Sequence, residues 1–392
     1  MLVTLLLALA PAADWPQFLG PTRDGVTTEV VPAWTDKPAV AWKVPVGPAH
    51  SSPVVVGGVV YLFDQPPAQN ADRLMAFELA TGKQLWAKTI DRPEFNPPFG
   101  AGPRGTPSVV GGKVYTLGGT GLLACWDATT GDVVWQRDTL KDFKADNLVF
   151  GVSGSPLVSD GKVFVNVGGK GAGLVAFDAA TGKTVWQATD DGASYSSPVV
   201  AGKQVVFLTK QRLVGVDPAD GAVRWGVPFR DLLSESATAP LVAGDVVVGS
   251  SVSLGSVALK PGDTAVSQVW KNKALNCYFS TPVAVGEQLY MLNGVLSISP
   301  TLTLRCVDAA TGTVRWEKPN VGKYHAALVR TGDGNLLMLD DTGKLTLFRP
   351  DVTGYKELAA AAVCGPTWAH PAVAGGFVVI RDEKELIALK VR

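Results

Sequence analysis

Three observations predict an all-β fold, an eight-bladed β-propeller made of four-stranded antiparallel blades. A unit of short apolar runs separated by turn residues recurs about every 40–50 residues, which is the size of one propeller blade. Gly (43) and Pro (27) are abundant in the 392 residues, as many tight turns require. The last unit lacks its fourth strand, and a strand of the matching pattern stands near the start of the chain.

Each unit opens with a small residue and Pro, followed by a Val-rich run and a turn. This opening predicts an inner strand A and an A–B turn, after which a second apolar run forms strand B. The copies, of which the one at 325 is the weakest, are SSPVVVGG (51–58), GTPSVVGG (105–112), GSPLVSDG (154–161), SSPVVAGK (196–203), TAPLVAGD (238–245), STPVAVGE (280–287), HAALVRTGDG (325–334) and AHPAVAGG (369–376).

Each unit closes with an apolar run, a Thr-Gly or Asp-Gly turn and a second run that ends in Trp. The Gly suits a turn that needs positive φ, so the motif predicts strands C and D. Its Asp residues (127, 178, 217 and 308) are expected to bond to the turn backbone. The copies are FELATGKQLW (77–86), WDATTGDVVW (126–135), FDAATGKTVW (177–186), VDPADGAVRW (216–225) and VDAATGTVRW (307–316).

The two ends of the chain are predicted to meet in one blade. Eight openings are present, but the final copy ends after its strand C. The missing strand D matches PAVAWKV (38–44), which places Trp42 in the recurrent Trp position. An N-terminal strand that completes the last blade would close the ring and hide its sheet edges.

The tryptophans of strand D are predicted to pack between neighbouring blades rather than to stack on a ligand. The seventh blade has YKELAAA (355–361) in place of a Trp-bearing strand, so its contact with the next blade is expected to be looser. The predicted blade-docking residues are Trp42, Trp86, Trp135, Trp186, Trp225, Trp270 and Trp316.

The N-terminus resembles an export signal. The apolar run Leu2–Ala10 is too short to span a bilayer and is followed by small residues, with cleavage expected after Ala12 or Ala13. A buried strand or a mis-assigned start is the alternative interpretation. The predicted location is periplasmic or secreted, within the bacterial cell envelope. The predicted organisation is a signal peptide (1–13), an N-terminal extended segment (14–37) and a single propeller (38–392).

Composition excludes several function classes. Lys plus Arg and Asp plus Glu are equal at 35 each, so nucleic-acid binding has no electrostatic support. No run is long enough to predict a transmembrane segment. The four cysteines form no CxxC or CxxCH pattern, and free buried thiols are expected. These residues are Cys125, Cys277, Cys306 and Cys364.

The small-residue–Pro opening and the D-x-x-T-G-x-x-x-W closing resemble the pyrroloquinoline quinone-like (PQQ-like) repeat family. One branch, the quinone-dependent dehydrogenases, binds pyrroloquinoline quinone and Ca²⁺ and uses a vicinal Cys-Cys pair, which this chain lacks. The other branch, the outer-membrane assembly factor BamB, is a non-catalytic eight-bladed propeller anchored through an N-terminal Cys, which is also missing. The resemblance is therefore to a BamB-like, non-dehydrogenase propeller. No cofactor and no catalytic residue are predicted, and a quinone with Ca²⁺ is the alternative.

The long connections are predicted to share one face. In an antiparallel blade the A–B and C–D turns lie on one face, and the B–C and D–A connections lie on the other. The A–B and C–D turns are short here, whereas irregular binding loops are usually long. The long connections are 65–72, 91–104, 140–152, 229–236 and 294–303.

Six side chains at the starts of inner strands are candidates for a binding site at the channel mouth. The three histidines fall in blades 1, 7 and 8, which are consecutive in a closed ring, and three further side chains share their repeat position. Imidazoles can bind metals, but no carboxylate is placed beside them, so polar channel lining is favoured and no metal site is predicted. The candidates are His50, Arg104, Tyr195, Phe279, His325 and His370.

The sequence therefore favours a monomeric scaffold that binds protein or peptide partners on the long-loop face. Aromatic and Arg side chains at the channel mouth support this interpretation, because both are enriched in protein-binding hot spots. The alternative is a protein that binds a small molecule, or a quinone-dependent oxidoreductase, using the central channel. A third possibility is a structural module of a larger cell-surface complex.

Overall fold

A computed structural model of the chain describes residues 13–294 and 299–391. The predicted signal peptide, apart from Ala13, lies outside the described residues. The predicted fold is confirmed: the described strands form eight four-stranded antiparallel sheets in sequential order around a ring. No described helix is long and apolar enough to cross a membrane.

The first strand, β1 (Ala39–Pro45), belongs to blade 8, and the strands of blades 1 to 8 then follow in chain order. Blades 1 and 2 are β2 (Val54–Val56), β3 (Val59–Asp64), β4 (Ala71–Glu78), β5 (Gln84–Asp91), β6 (Ser108–Val110), β7 (Lys113–Leu117), β8 (Leu122–Asp127) and β9 (Val133–Asp138). The single described helix, α1 (Thr139–Phe143), follows blade 2 within a connection predicted to be irregular. Blades 3 and 4 are β10 (Leu157–Ser159), β11 (Lys162–Gly169), β12 (Ala172–Asp178), β13 (Thr184–Ala188), β14 (Val199–Ala201), β15 (Gln204–Leu208), β16 (Arg212–Val216) and β17 (Val223–Pro228).

Blades 5 to 8 continue the same order. Blades 5 and 6 are β18 (Leu241–Ala243), β19 (Val246–Ser251), β20 (Gly255–Pro261), β21 (Val266–Asn272), β22 (Val283–Val285), β23 (Gln288–Gly294), β24 (Leu302–Asp308) and β25 (Val314–Pro319). Blades 7 and 8 are β26 (Ala326–Arg330), β27 (Leu336–Asp340), β28 (Lys344–Arg349), β29 (Lys356–Ala362), β30 (Ala372–Ala374), β31 (Phe377–Arg381) and β32 (Glu385–Lys390).

The N-terminal strand closes the ring as predicted. Strand β1 pairs antiparallel with β32, from Ala39 opposite Lys390 to Pro45 opposite Glu385. The sheet order of blade 8 is therefore β1-β32-β31-β30, with β1 as its outer strand. Strand β1 therefore covers the edge of β32 that would otherwise be unpaired, and the two chain ends are joined in one blade.

The strand-D tryptophans connect successive blades by one repeated contact. Trp42 Nε1 donates to Leu79 O (2.7 Å) at the C–D turn of blade 1, and five others bond to the equivalent turn of the following blade. Trp225 differs, because its Nε1 donates to Gln204 Oε1, and Gln204 Nε2 in turn donates to Gly262 O of blade 5 (2.8 Å). The indole ring also packs on the turn glycine: a Cβ on Gly82 would lie 2.6 Å from Trp42.

Blade 7 has a small residue where the other blades have Trp. Ala359 faces the interface with blade 8 and is buried in the cluster that includes strands β30 to β32. Three side chains from the N-terminal segment pack on the same cluster, namely the buried Trp15 and Val31 and the partly buried Trp34. The N-terminal segment thus supplies apolar volume next to the blade that lacks a strand-D Trp.

Hydroxyl groups of the small-residue–Pro openings form an inter-blade belt around the channel. Each accepts a backbone N–H from the preceding blade, for example Ser52 N to Thr106 Oγ1 (3.1 Å) and Thr106 N to Ser155 Oγ (2.9 Å). His370 N donates to Ser52 Oγ at 2.9 Å, which joins blade 8 to blade 1. The belt is interrupted where blades 5 and 7 have Ala239 and Ala327 and blade 8 has His370 at the hydroxyl position. The repeated Ser or Thr before Pro is therefore explained by a hydrogen bond between blades that satisfies a buried amide.

Residues 14–31, named the plug, cross the central channel at the end where the A–B turns lie. Trp15 exchanges two backbone hydrogen bonds with Val55 of blade 1 (2.7 and 2.8 Å), and Pro16 O accepts from Val109 N of blade 2 (2.8 Å). Arg330 N of blade 7 donates to Gly25 O at 2.7 Å, and on the opposite side of the ring Arg23 bonds to carbonyls of blade 3. The plug thus ties opposite sides of the ring together.

A buried arginine fixes the middle of the plug. Arg23 is almost fully buried, and its guanidinium donates to Pro198 O (3.0 Å), Ser155 O (3.2 Å) and Pro156 O (3.1 Å). These carbonyls belong to the openings of blades 3 and 4. Burial lowers the pKa of Arg23 to about 9, which still leaves the side chain charged at neutral pH. Burial removes the water that would hydrate the guanidinium, and the three carbonyls replace it as hydrogen-bond acceptors.

Candidate functional site

The two ends of the channel are built differently. The plug fills the end at the A–B and C–D turns, which we call the turn face. The other end, the loop face, is surrounded by the D–A connections, and it carries all six candidate residues predicted from the sequence. Each of these follows a D–A connection and precedes an inner strand, so their side chains converge although they are about 40–50 residues apart in the chain.

The structure brings the three predicted histidines together in one sector. The ring centroids of His325 and His370 are 5.1 Å apart. The ring centroid of Trp368 lies 5.8 Å from that of His50 and 6.2 Å from that of His325, and the rings of Trp368 and His325 are stacked. His50 Nε2 donates to Phe99 O at 2.8 Å, which anchors the next connection.

Trp368 is the centre of the site, and sequence reasoning missed it. Besides the two histidines, its ring contacts Phe279 (5.0 Å) and Tyr324 (6.0 Å), so it joins the connections before blades 1, 6, 7 and 8. Its signal was available, because Trp368 lies outside the strand-D series and directly precedes the last small-residue–Pro opening.

Aromatic contacts continue around the remaining blades. Phe150 contacts Phe99 (5.9 Å) and Tyr195 (5.5 Å), and Tyr278 stacks on Phe279 (3.7 Å). The Tyr278 hydroxyl donates to Glu235 in the connection before blade 5, and Ser236 O of the same connection accepts from Tyr195 N at 3.0 Å. We call this set the mouth ring: His50, Phe99, Phe150, Tyr195, Tyr278, Phe279, Tyr324, His325 and Trp368.

Arg104 and His370 occupy different depths next to the mouth ring. Arg104 Nη2 donates to Pro98 O (3.0 Å) and Gly100 O (3.3 Å), so the side chain braces the connection before blade 2. Burial lowers its pKa. His370 takes the belt position of a Ser or Thr and points towards the plug, where Phe18 packs edge-on at 5.0 Å. His370 therefore links the loop-face mouth to the plug.

The histidines of the mouth are uncharged at neutral pH. Burial lowers the pKa of His50 and of His325 to about 4, and burial beside His325 holds the pKa of His370 well below 6.5. Because desolvation disfavours the charged imidazole, all three rings act as neutral polar groups between aromatic neighbours.

Large apolar side chains are exposed around the mouth ring. Leu232 is 82% exposed, Phe99 75% and Val149 68%, and each lies in a different D–A connection. Exposed apolar groups gathered around one opening are typical of interaction surfaces. The loop face therefore presents an aromatic floor and an apolar rim.

The mouth does not have the donor set of a metal centre. Among the described residues, no group of three or more His, Cys, Asp and Glu side chains could hold a metal ion. The nearby carboxylate of Asp341 already accepts from Lys323 N (2.9 Å) and Tyr324 N (2.8 Å). The four cysteines are free thiols, and burial raises the pKa of Cys277 to about 12.

Sequence comparison places the chain among known propellers. The family described as "Outer membrane protein assembly factor BamB" matches residues 70–318. The BamB of Yersinia pestis is 26% identical over 299 residues, which cover 70% of this chain and 71% of that protein. The dehydrogenase subunit of the quinone alcohol dehydrogenase of Gluconobacter oxydans is 32% identical, but over 153 residues, 35% of this chain and 19% of that protein.

Comparison of structures supports the fold. The crystal structure of BamB from Moraxella catarrhalis superposes with a TM-score of 0.65, covering 90% of this chain and 97% of that chain at 15% sequence identity. A europium-containing methanol dehydrogenase superposes comparably, with a TM-score of 0.68, covering 96% of this chain and 89% of that chain at 14% identity. The structural comparisons therefore show the propeller fold alone, and it is the sequence match that covers more of the chain for BamB, 70%, than for the quinone alcohol dehydrogenase, 35%.

The residues present do not fit a quinone with Ca²⁺. The inner surface of the mouth is occupied by ring-to-ring contacts centred on Trp368, and the carboxylate of Asp341 beside it is engaged by backbone amides. The cavity between blades 2, 3 and 4 has a volume of ≈ 10 Å³, space for about one water molecule. A larger cavity of ≈ 220 Å³ lies at the turn face, between the plug and blades 5 to 7, and its lining has the single carboxylate Asp24 and no cysteine. No two of the four cysteines form a pair.

Proposed function

Because the chain belongs to the family of the outer membrane protein assembly factor BamB, we propose that it is a non-catalytic scaffold that binds a protein partner at its loop face. The partner is a polypeptide handled during outer membrane protein assembly, and the location is the periplasmic side of the cell envelope. The observation that supports this proposal is the mouth ring with the exposed apolar side chains around it.

The chemistry of the mouth favours an apolar segment of polypeptide. Aromatic side chains concentrate binding energy at protein interfaces, particularly where a polar rim surrounds an apolar centre. Trp368 and its neighbours are held by mutual contacts, so little side-chain freedom is lost on binding. Burial keeps His50 and His325 neutral, so these rings add no charge to the mouth.

The plug makes the loop face the better binding surface. The turn-face end of the channel is filled by the chain itself, with Arg23 and Trp15 buried in it. A partner that enters from that side would have to displace hydrogen bonds to six blades. A partner at the loop face covers exposed apolar groups without disturbing the ring.

A matched pair of valines tests the proposal. Val149 lies on the loop face, 68% exposed, and Val352 lies on a turn-face C–D turn, 54% exposed. In a strain that lacks the native gene, we expect wild type and Val352→Ser to restore the normal amounts of outer membrane proteins. We expect Leu232→Ser combined with Val149→Ser to restore them poorly, although the variant accumulates to the same level in the envelope.

The same variants separate this role from the alternative functions. A photo-crosslinking residue at position 149 should capture a protein of the outer membrane assembly pathway, and one at 352 should not. Equal complementation by the loop-face and turn-face variants would contradict the proposed surface. Stoichiometric binding of pyrroloquinoline quinone with Ca²⁺, read from the visible spectrum of the quinone, would instead support the oxidoreductase alternative.

A further inference from the structure

The start of the plug lies against a buried carboxylate. Ala13 N donates to Glu29 Oε1 at 3.2 Å, and Glu29 is only 5% exposed. The two residues are 16 positions apart, with Ala13 directly before the plug and Glu29 near its end, so this contact closes the segment into a loop. A buried carboxylate is stabilised far more by a cation than by a neutral amide.

The chain next to Ala13 is firmly held. Asp14 Oδ1 accepts from Gly57 N at 2.9 Å, and Trp15, only 1% exposed, forms both of its backbone hydrogen bonds with Val55. Glu29 is fixed as well, since its backbone oxygen accepts from Gly332 N at 2.6 Å. The chain on both sides of the contact between Ala13 and Glu29 is thus held by hydrogen bonds to blades 1 and 7.

The sequence places a leader-cleavage pattern directly before this contact. Ala10-Pro11-Ala12 matches the A-x-A pattern that a leader peptidase recognises, and its cut would fall between Ala12 and Ala13. A cut after Ala13 would follow Pro11-Ala12-Ala13, which does not match the pattern, and would remove the residue that meets Glu29.

We propose that cleavage after Ala12 creates an α-ammonium group on Ala13 that docks on the carboxylate of Glu29. Hydrolysis of the Ala12–Ala13 peptide bond consumes one water, leaves a carboxylate on the released leader and leaves an amino group on Ala13. That amino group takes up a proton, since an α-amino group has a pKa of about 7.7–8.0. The amide donor becomes an ammonium with three donors and a positive charge.

Docking of the plug is therefore completed by export. Before cleavage, the Ala13 nitrogen can offer Glu29 one neutral hydrogen bond. After cleavage, the same atom forms an ion pair inside the ring, and the pair holds both ends of the plug at the turn face. The signal peptidase step thus stabilises the mature propeller in addition to releasing it.

The first test is the N-terminus of the exported protein. Edman sequencing and intact mass of the protein isolated from the envelope should give Ala-Asp-Trp-Pro-Gln. A mature chain that begins at Asp14 or at any other residue would overturn the proposal, because no ammonium would then stand opposite Glu29.

The second test is a two-by-two comparison of melting temperatures. The mature chain beginning at Ala13 is compared with a chain carrying one extra Gly before Ala13, each in the wild-type background and in the Glu29→Gln background. In the wild-type background, we expect the extension to lower the Tm by about 2–4 °C, because it moves the ammonium away. In the Glu29→Gln background the extension should change the Tm by less than about 1 °C. Equal shifts in both backgrounds would overturn the ion pair.

A third measurement does not depend on the stability of the Glu29→Gln variant. The α-amino group is labelled by reductive methylation with ¹³C-formaldehyde, and its titration is followed by NMR. In the mature wild-type protein we expect its pKa to lie at least about one unit above 7.7–8.0, since the carboxylate favours the charged amine. An unshifted pKa in the folded protein would contradict the proposal.

Discussion

The two ends of the channel are made from the same eight inner strands but are closed in opposite ways. At the turn face, the plug bonds to the inner strands of six blades and buries Trp15 and Arg23. At the loop face, side chains from the D–A connections meet ring against ring and leave Leu232, Phe99 and Val149 in solvent. Backbone hydrogen bonds make a permanent closure, whereas exposed apolar rims leave a surface available to a partner.

The hydroxyl belt lies between these ends and is common to both. It joins blades through single hydrogen bonds such as Ser155 N to Ser197 Oγ at 2.8 Å. Above it lie the mouth ring and its neutral histidines, and below it lies the plug. His370 touches both regions, because its backbone is in the belt and its ring contacts Phe18 and His325. The difference between the ends therefore comes from what covers the belt on each side.

The largest expected effect is the loss of the plug anchor. Trp15→Ala removes an indole that is 1% exposed in the cluster shared by blades 7, 8 and 1. We expect the free energy of unfolding to fall by about 3–5 kcal/mol, the usual cost of truncating a buried Trp. Urea denaturation followed by tryptophan fluorescence and circular dichroism measures it.

Phe99→Ala is the matched control at the other end of the channel. Its ring is 75% exposed, so its stability should stay within about 0.5 kcal/mol of wild type. Equal losses of unfolding free energy for Trp15→Ala and Phe99→Ala would contradict this comparison. The plug would then contribute no more to stability than an exposed side chain at the mouth.

An intermediate effect is expected from acid. The pKa of His325 is about 4 in the folded protein and about 6.5 when unfolded, so between these values the unfolded chain binds more protons. The contribution of His325 to stability is fully present above pH 6.5 and is lost as the pH falls towards 4, by about 3 kcal/mol in total. The same sign applies to His370, whose pKa is also lowered by burial.

His325→Phe isolates this contribution while keeping a ring beside Trp368. The unfolding free energies of the two proteins are measured at pH 7, 6, 5 and 4, and that of wild type should fall relative to that of the variant as the pH falls. The two proteins are compared because Asp72 also titrates in this pH range. Burial raises its pKa to about 6, so its contribution to the unfolding free energy grows as the pH falls, opposite to that of His325. Parallel pH profiles for the two proteins would show that His325 is solvated and not buried in the mouth.

The smallest effect concerns the belt. Ser52→Ala removes the acceptor of His370 N and leaves a buried amide without its bond, so we expect a loss of about 1–2 kcal/mol. Thermal unfolding by calorimetry measures it. In blade 5 the belt position is Ala239. The control Ala239→Ser introduces a hydroxyl there instead of removing one, so no loss of unfolding free energy is expected. A Ser52→Ala protein as stable as wild type would mean that the hydroxyl belt does not couple the blades.

Several elements of the structure could be predicted because their signals repeat. The Trp of strand D recurs with the Gly of the next C–D turn, and a one-blade contact such as Trp42 on Gly82 is used over and over. The last unit lacks a strand D and the segment 38–44 has the pattern of one, so counting strands predicted ring closure. The pairing of β1 with β32 confirms it. Repetition made these predictions strong, since many copies share one local geometry.

The plug could not be predicted in the same way. The segment DWPQFLGPTRDGV has neither a strand nor a helix period, and its conformation is imposed by groups that lie far away in the chain. Arg23 is held by carbonyls more than 130 residues away, which only the finished ring brings together. Trp368 was overlooked for a related reason, because its neighbours come from four different connections.

The sequence by itself determined the number of blades, the strand order within each blade and the partnership of the two chain ends. Those features depend on apolar periodicity and turn residues, which are local and recur in every unit. Only the tertiary structure decided which end of the channel is filled and which side chains meet at the other end. These depend on the convergence of eight inner strands, where single, non-repeated residues from distant units come into contact.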